Sequence, residues 1–148
     1  MQQMCELSQG IWIVYLTYLS LIDIRTRKIP IWLLGAGGIT AIVMQIWKSL
    51  KGTSISPILV VAGVAVGIAF LGISKITREA FGYGDGIVIL ILGICLGLWD
   101  LLIVLMVSFL GASLIAILLL VWSKGTKKQS MPFIPFLCIG YVAVILMG

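Results

Sequence analysis

The sequence predicts an all-α, polytopic membrane protein of about six transmembrane helices, both termini non-cytoplasmic, built as a single domain over residues 1–148. Three observations carry this expectation. Hydrophobic residues make up 61% of the chain and charged residues 10%, against about 45–50% and about 25% in soluble domains. So few polar side chains cannot coat a water-soluble globule, and lipid must be the solvent for most of the surface. The apolar residues fall into six runs, and the basic residues gather in alternate loops between them.

The runs lie at 7–24, 29–47, 57–74, 86–99, 101–122 and 133–147. The first nine residues, MQQMCELSQ, carry Glu6 and neither Lys nor Arg. A secretory signal needs a basic start and a small-residue cleavage site, so the first run is expected to remain as a helix. A spanning helix needs about 20 residues, within about 17–25; the second, third and fifth runs satisfy this comfortably, while the fourth and sixth are short. Only Asp100 separates the fourth from the fifth. One helix over residues 86–122 would be about 55 Å long at about 1.5 Å per residue, far more than the hydrocarbon core of about 30 Å. A turn is therefore expected near Leu98-Trp99-Asp100, with Trp99 suited to the interface.

Orientation follows from the ten basic residues. Arg25, Arg27, Lys28, Lys75, Arg78, Lys124, Lys127 and Lys128 fall in the first, third and fifth loops, while the second loop holds only Lys48 and Lys51. Eight against two puts the odd loops in the cytoplasm by the positive-inside rule. The net charge of +5 is then a basic collar beside anionic lipid, with no call for a nucleic-acid partner. Gly63-x-x-x-Gly67 and Gly93-x-x-x-Gly97 have the spacing that permits close helix approach.

The chemistry available is narrow. The chain has no His, and Cys5, Cys95 and Cys138 stand apart from one another. Neither a Cys-x-x-Cys zinc site nor His-based metal or triad chemistry can be assembled, and the cysteines read as small packing residues. No metal or organic cofactor is called for. Carboxylates, hydroxyls and basic groups remain.

Of the five acids, Glu6 and Asp100 fall on the outer side, and Asp23, Glu79 and Asp85 on the cytoplasmic side. Asp23 lies inside the apolar stretch Leu21-Ile22-Asp23-Ile24, where a charge costs up to about 2.5–3.5 kcal/mol at a helix centre and less near the interface. A pairing with Arg25 or Arg27 would also explain it. Asp85 lies in Phe81-Gly82-Tyr83-Gly84-Asp85-Gly86, before the fourth run. The glycines allow turns that a Cβ forbids, and capping of the next helix is the simple alternative. Topology places both acids near one boundary. Two converging carboxylates cannot both ionise easily and tend to share a proton. The ionised member can activate water while the protonated one polarises a peptide carbonyl.

At these residues the sequence resembles the type IV prepilin peptidases, membrane aspartic proteases of the GxGD class. Gly82-Tyr83-Gly84-Asp85 matches GxGD, Asp23 is followed six and seven residues on by Ile29-Pro30, and Pro132-Phe133-Ile134-Pro135-Phe136 resembles a Pro-Phe-x-Pro-Phe element near the family's C-terminus. The resemblance implies that Asp23 and Asp85 are the catalytic pair, with Gly82, Gly84, Gly86, Ile29, Pro30, Pro132 and Pro135 as motif or positioning residues. It further implies a multi-pass protein of the cell membrane whose active site faces the cytoplasm. Its partners would be the lipid bilayer and a pilin-like precursor, cut after a short basic leader. Ile31 and Ile87 stand where many members have Asn and Lys. The chain is a short form, without the Cys-rich cytoplasmic segment associated with N-methylation, so methyltransferase activity is not expected.

Glu79 is a candidate to meet the leader's basic residues, or is simply a solvated loop acid. Arg25, Arg27 and Lys28 are candidates to meet an acidic group of the precursor, or to anchor on lipid headgroups. Pro132 and Pro135 either loosen the last helix for an extended substrate or end the preceding loop. The competing reading is a catalytically degenerate scaffold or a small transporter subunit of a secretion or pilus system. A transporter would want its carboxylates nearer the midplane.

Overall fold

The computed structural model describes residues 2–26, 29–52, 55–76, 83–122 and 132–147. Among them the regular elements are all helices: α1 (Gln2–Thr26), α2 (Ile31–Leu50), α3 (Pro57–Ile76), α4 (Tyr83–Trp122) and α5 (Ile134–Met147). By length and composition α2, α3 and α4 can each cross a membrane, and α5 is a shorter apolar helix. The chain divides into two compact units, Met1–Arg27 with Ile103–Gly148, and Lys28–Leu102.

The six apolar runs thus become five helices among the described residues, because 86–99 and 101–122 are joined in α4. That 40-residue element is not continuous helix, since Gly97 has φ 75° and ψ −174°. This region of backbone space is open essentially to glycine alone. The break therefore falls just before the Leu98-Trp99-Asp100 stretch where a turn was expected. Trp99 is exposed, as an interfacial side chain would be. A Cβ at Gly97 would also stand 3.1 Å from Ile55 Cγ2. Gly97→Ala is expected to destabilise the protein by about 1–3 kcal/mol, read as a lower unfolding midpoint in detergent; an unmoved midpoint would contradict the strain.

In the first unit, α1 turns Trp12, Leu16, Leu19 and Asp23 inward, at intervals of four, three and four residues. That spacing is one face of an α-helix. Leu21 and Ile24, on other faces, are exposed, as lipid-facing residues are. The inward face packs on α5, where Ile134, Leu137 and Tyr141 are buried. Thr17 Oγ1 donates to Ile13 O at 2.7 Å and lies 3.6 Å from Cys138 Sγ, so this cysteine does sit at a packed helix contact. The second arm of α4 buries Val104, Leu105 and Ser108. Ser108 Oγ lies 2.6 Å from Val104 O and 3.0 Å from Phe136 O, tying α4 to α5.

In the second unit, Pro30 stands at the N-cap of α2, its carbonyl accepting from the amides of Leu33 and Leu34. Pro57 opens α3, a position where its missing N–H costs nothing, and Ser56 O accepts from Leu59 and Val60. The buried residues of α3 are Gly63, Gly67 and Ser74, all on one face. They meet the first arm of α4 backbone to backbone. A Cβ on Gly93 would stand 2.5 Å from Gly63 O, and one on Gly67 would collide with Leu90 Cα. The Gly63-x-x-x-Gly67 spacing therefore does serve close approach. Gly93 shares in it, whereas Gly97 serves the break. Cys95, buried on the same arm, is a free thiol within this packing.

Candidate active site

Asp23 ends the inward face of α1, one turn beyond Leu19, and is 8% exposed. Its Oδ2 is buried without a hydrogen-bond partner among the described residues. Arg25 is exposed in the last turn of α1, where a cation complements the helix dipole. Pairing of Asp23 with Arg27 falls outside the described residues.

Phe133 O accepts from Phe136 N at 3.0 Å and Leu137 N at 3.2 Å, closing the first turn of α5. Pro135 is the second residue of α5, where the helix needs no donor, so the proline interrupts nothing. Pro132 lies immediately outside the turn, ahead of Phe133. Phe133 is packed against Phe109 of α4, ring centroids 5.1 Å apart.

Asp85 is the third residue of α4 and is 9% exposed. It lies inside the helix rather than ahead of it, so the N-cap role is not its position. A carboxylate in a first turn is still favoured by the dipole. The flanking glycines make room for neighbours in the same unit. A Cβ at Gly84 would stand 2.6 Å from Ile29 Cδ1, and one at Gly86 2.8 Å from Leu71 Cδ2. Ile29, from the Ile-Pro pair after the first acid, thus packs at the glycine beside the second. Gly82, Glu79, Arg27 and Lys28 lie outside the described residues.

Each unit therefore joins two of the three sequence motifs: Asp23 with the first turn of α5, and Ile29-Pro30 with Gly84-Asp85. One participant has no signal in the sequence: Leu71 is an ordinary helix leucine whose proximity to Gly86 only folding reveals.

Helices of this length and composition, with carboxylates buried near their ends, define a multi-pass membrane protein. The sequence model of the type IV leader peptidase family matches residues 10–121, and the chain belongs to that family. Membership implies a protease of the aspartic type that processes prepilin-like substrates. The matched residues include both acids and end before α5. No curated protein and no solved structure matches the chain.

Proposed function

We propose that the chain is a membrane aspartic endopeptidase that removes the short basic leader of type IV pilin-like precursors at the cytoplasmic membrane face, with Asp23 and Asp85 as its catalytic pair. The observation that carries this is the burial of both acids, each less than a tenth exposed, near the ends of apolar helices and inside family motifs. A buried carboxylate is costly in such surroundings, and catalysis is a reason to keep two.

In the proposed reaction the ionised aspartate takes a proton from water as its oxygen attacks the scissile carbonyl. The protonated aspartate donates to the carbonyl oxygen. As the tetrahedral diol collapses, the aspartate that took the water proton gives it to the leaving amine and a diol hydroxyl gives its proton to the other aspartate, so the pair is again singly protonated. No metal or organic cofactor has a part in this chemistry.

The 1–148 chain works as one peptidase domain with six spans and both termini outside. The glycine-only break at Gly97 supports dividing α4 into two spans, and the basic residues of the odd loops support a cytoplasmic active face. Without the Cys-rich segment, the product leaves unmethylated. Arg25, Arg27 and Lys28 anchor on headgroups or meet an acidic group of the precursor.

The test is co-expression with pilin-like precursors, following leader loss by mass; a product still carrying its leader after membrane insertion of both proteins would remove the proposal. Glu79 is assigned to the leader's basic residues. Glu79→Gln is expected to weaken cleavage of strongly basic leaders by up to about fivefold, the scale of a screened surface ion pair, and turnover of such leaders equal to the parent's would remove that assignment.

A further inference from the structure

The geometry of α3 and α4 points to Ser74 as a positioning residue for Asp85: its hydroxyl donates to one carboxylate oxygen and leaves the other to handle the proton. This deepens the reading of Asp85 as one of the two catalytic acids, and rests on it.

Both residues belong to the unit Lys28–Leu102, and the glycines along the seam fix how α3 lies against the first arm of α4. A Cβ on Gly93 would meet Gly63, one on Gly67 would meet Leu90, and one on Gly86 would meet Leu71. Residue numbers rise along α3 as they fall along α4, so the two helices run antiparallel in one register. At about 1.5 Å per residue, Ser74 lies about 4.5 Å beyond the level of Leu71 and Gly86, and Asp85 about 1.5 Å beyond it in the same direction. Only about 3 Å along the axes then separates them. The helices are also close at this level, where a Cβ on Gly86 would stand 3.4 Å from Leu71 Cα. A serine hydroxyl and an aspartate carboxylate can span so narrow a gap.

The direction of the side chain agrees. At about 3.6 residues per turn, Ser74 falls within about 20° of Gly63, on the face that α3 turns to α4. Ser74 is 1% exposed, whereas Lys75, the other polar side chain of α3, is exposed. A hydroxyl buried in so apolar a helix needs a hydrogen-bond partner, and Asp85, itself buried, is the acceptor that the register brings to it. A bond from a hydroxyl to a carboxylate is shorter and stronger than one to a neutral oxygen. A carboxylate held at one oxygen turns little about its last torsion, so the second oxygen keeps its aim.

Two measurements test this. Thr and Val have the same shape and differ by the hydroxyl, so any crowding from the larger side chain is common to both. At equal folded fraction, kcat of Ser74→Val is expected on the order of tenfold below that of Ser74→Thr, with the two KM values alike, as for loss of one hydrogen bond to a charged group. Equal kcat values would overturn the proposal.

The second measurement needs neither activity nor added bulk. Unfolding in detergent is followed for Ser74→Ala in the parent and in Asp85→Ala. The midpoint should fall in the parent and move distinctly less beside Asp85→Ala, because the effects of residues in contact do not add. Equal shifts in the two backgrounds, the result for a hydroxyl spent on its own helix, would overturn the contact itself. Cleavage retained in Asp85→Asn would instead sink the catalytic reading, an outcome separate from either of these.

Discussion

Asp23→Asn and Asp85→Asn are each expected to lower the rate of leader removal by about 10²–10⁴-fold, the usual contribution of a positioned acid or base. Asn matches Asp in size, so the packing of Leu16, Leu19, Ile134 and Leu137 around position 23 is undisturbed. What is lost is the capacity to take up and release a proton. Under the proposed pairing the two acids act as one unit, so the double variant should be scarcely slower than either single one. The assay is leader loss by mass from a co-expressed precursor, with membrane insertion of each variant verified alongside. Cleavage near the parental rate in either single variant would refute the pair, and a double variant slower by the product of the two losses would refute their acting together.

Gly93→Leu should be the most damaging single change to the fold. The space a side chain would enter is filled by the carbonyl oxygen of Gly63 at 2.5 Å and its carbon at 2.7 Å. These are backbone atoms of a helix, and they cannot swing aside as a side-chain methyl can. Overpacking usually costs about 1–3 kcal/mol, and here α3 and α4 must part to accommodate it, so the cost belongs at or above the upper end. Gly72, also on α3, has no neighbour within 4 Å, which makes Gly72→Leu the matched control. Unfolding in detergent should show a large loss for the first and little change for the second. Similar midpoints would show that the Gly63–Gly93 approach is not what holds these helices.

How far the sequence discloses this molecule depends on which physical term decides each feature. Hydrophobic runs report lipid exposure directly, so α2 and α3 lie within three residues of their expected bounds. The interruption of α4 was demanded by bilayer thickness, yet its position was sought at the polar Asp100 and aromatic Trp99. Backbone freedom decided instead, and the break lies at Gly97. The small-residue spacing of α3 was visible, but not that Gly67 would face Leu90, because a spacing names one surface of a contact and never its partner. Asp23 was identifiable as a costly charge in an apolar stretch. Asp85 was suspected as a cap because helix starts are hard to place by pattern, and the helix begins two residues earlier.

The seam formed by Gly63, Gly67, Leu90 and Gly93 is built from neutral atoms alone. Added electrolyte has nothing there to shield, and water is not expelled when two such surfaces close within hydrocarbon. Its strength is dispersion between matched shapes. This half of the molecule should therefore be indifferent to buffer strength and responsive to bilayer thickness and to detergent chains small enough to wedge between the two backbones.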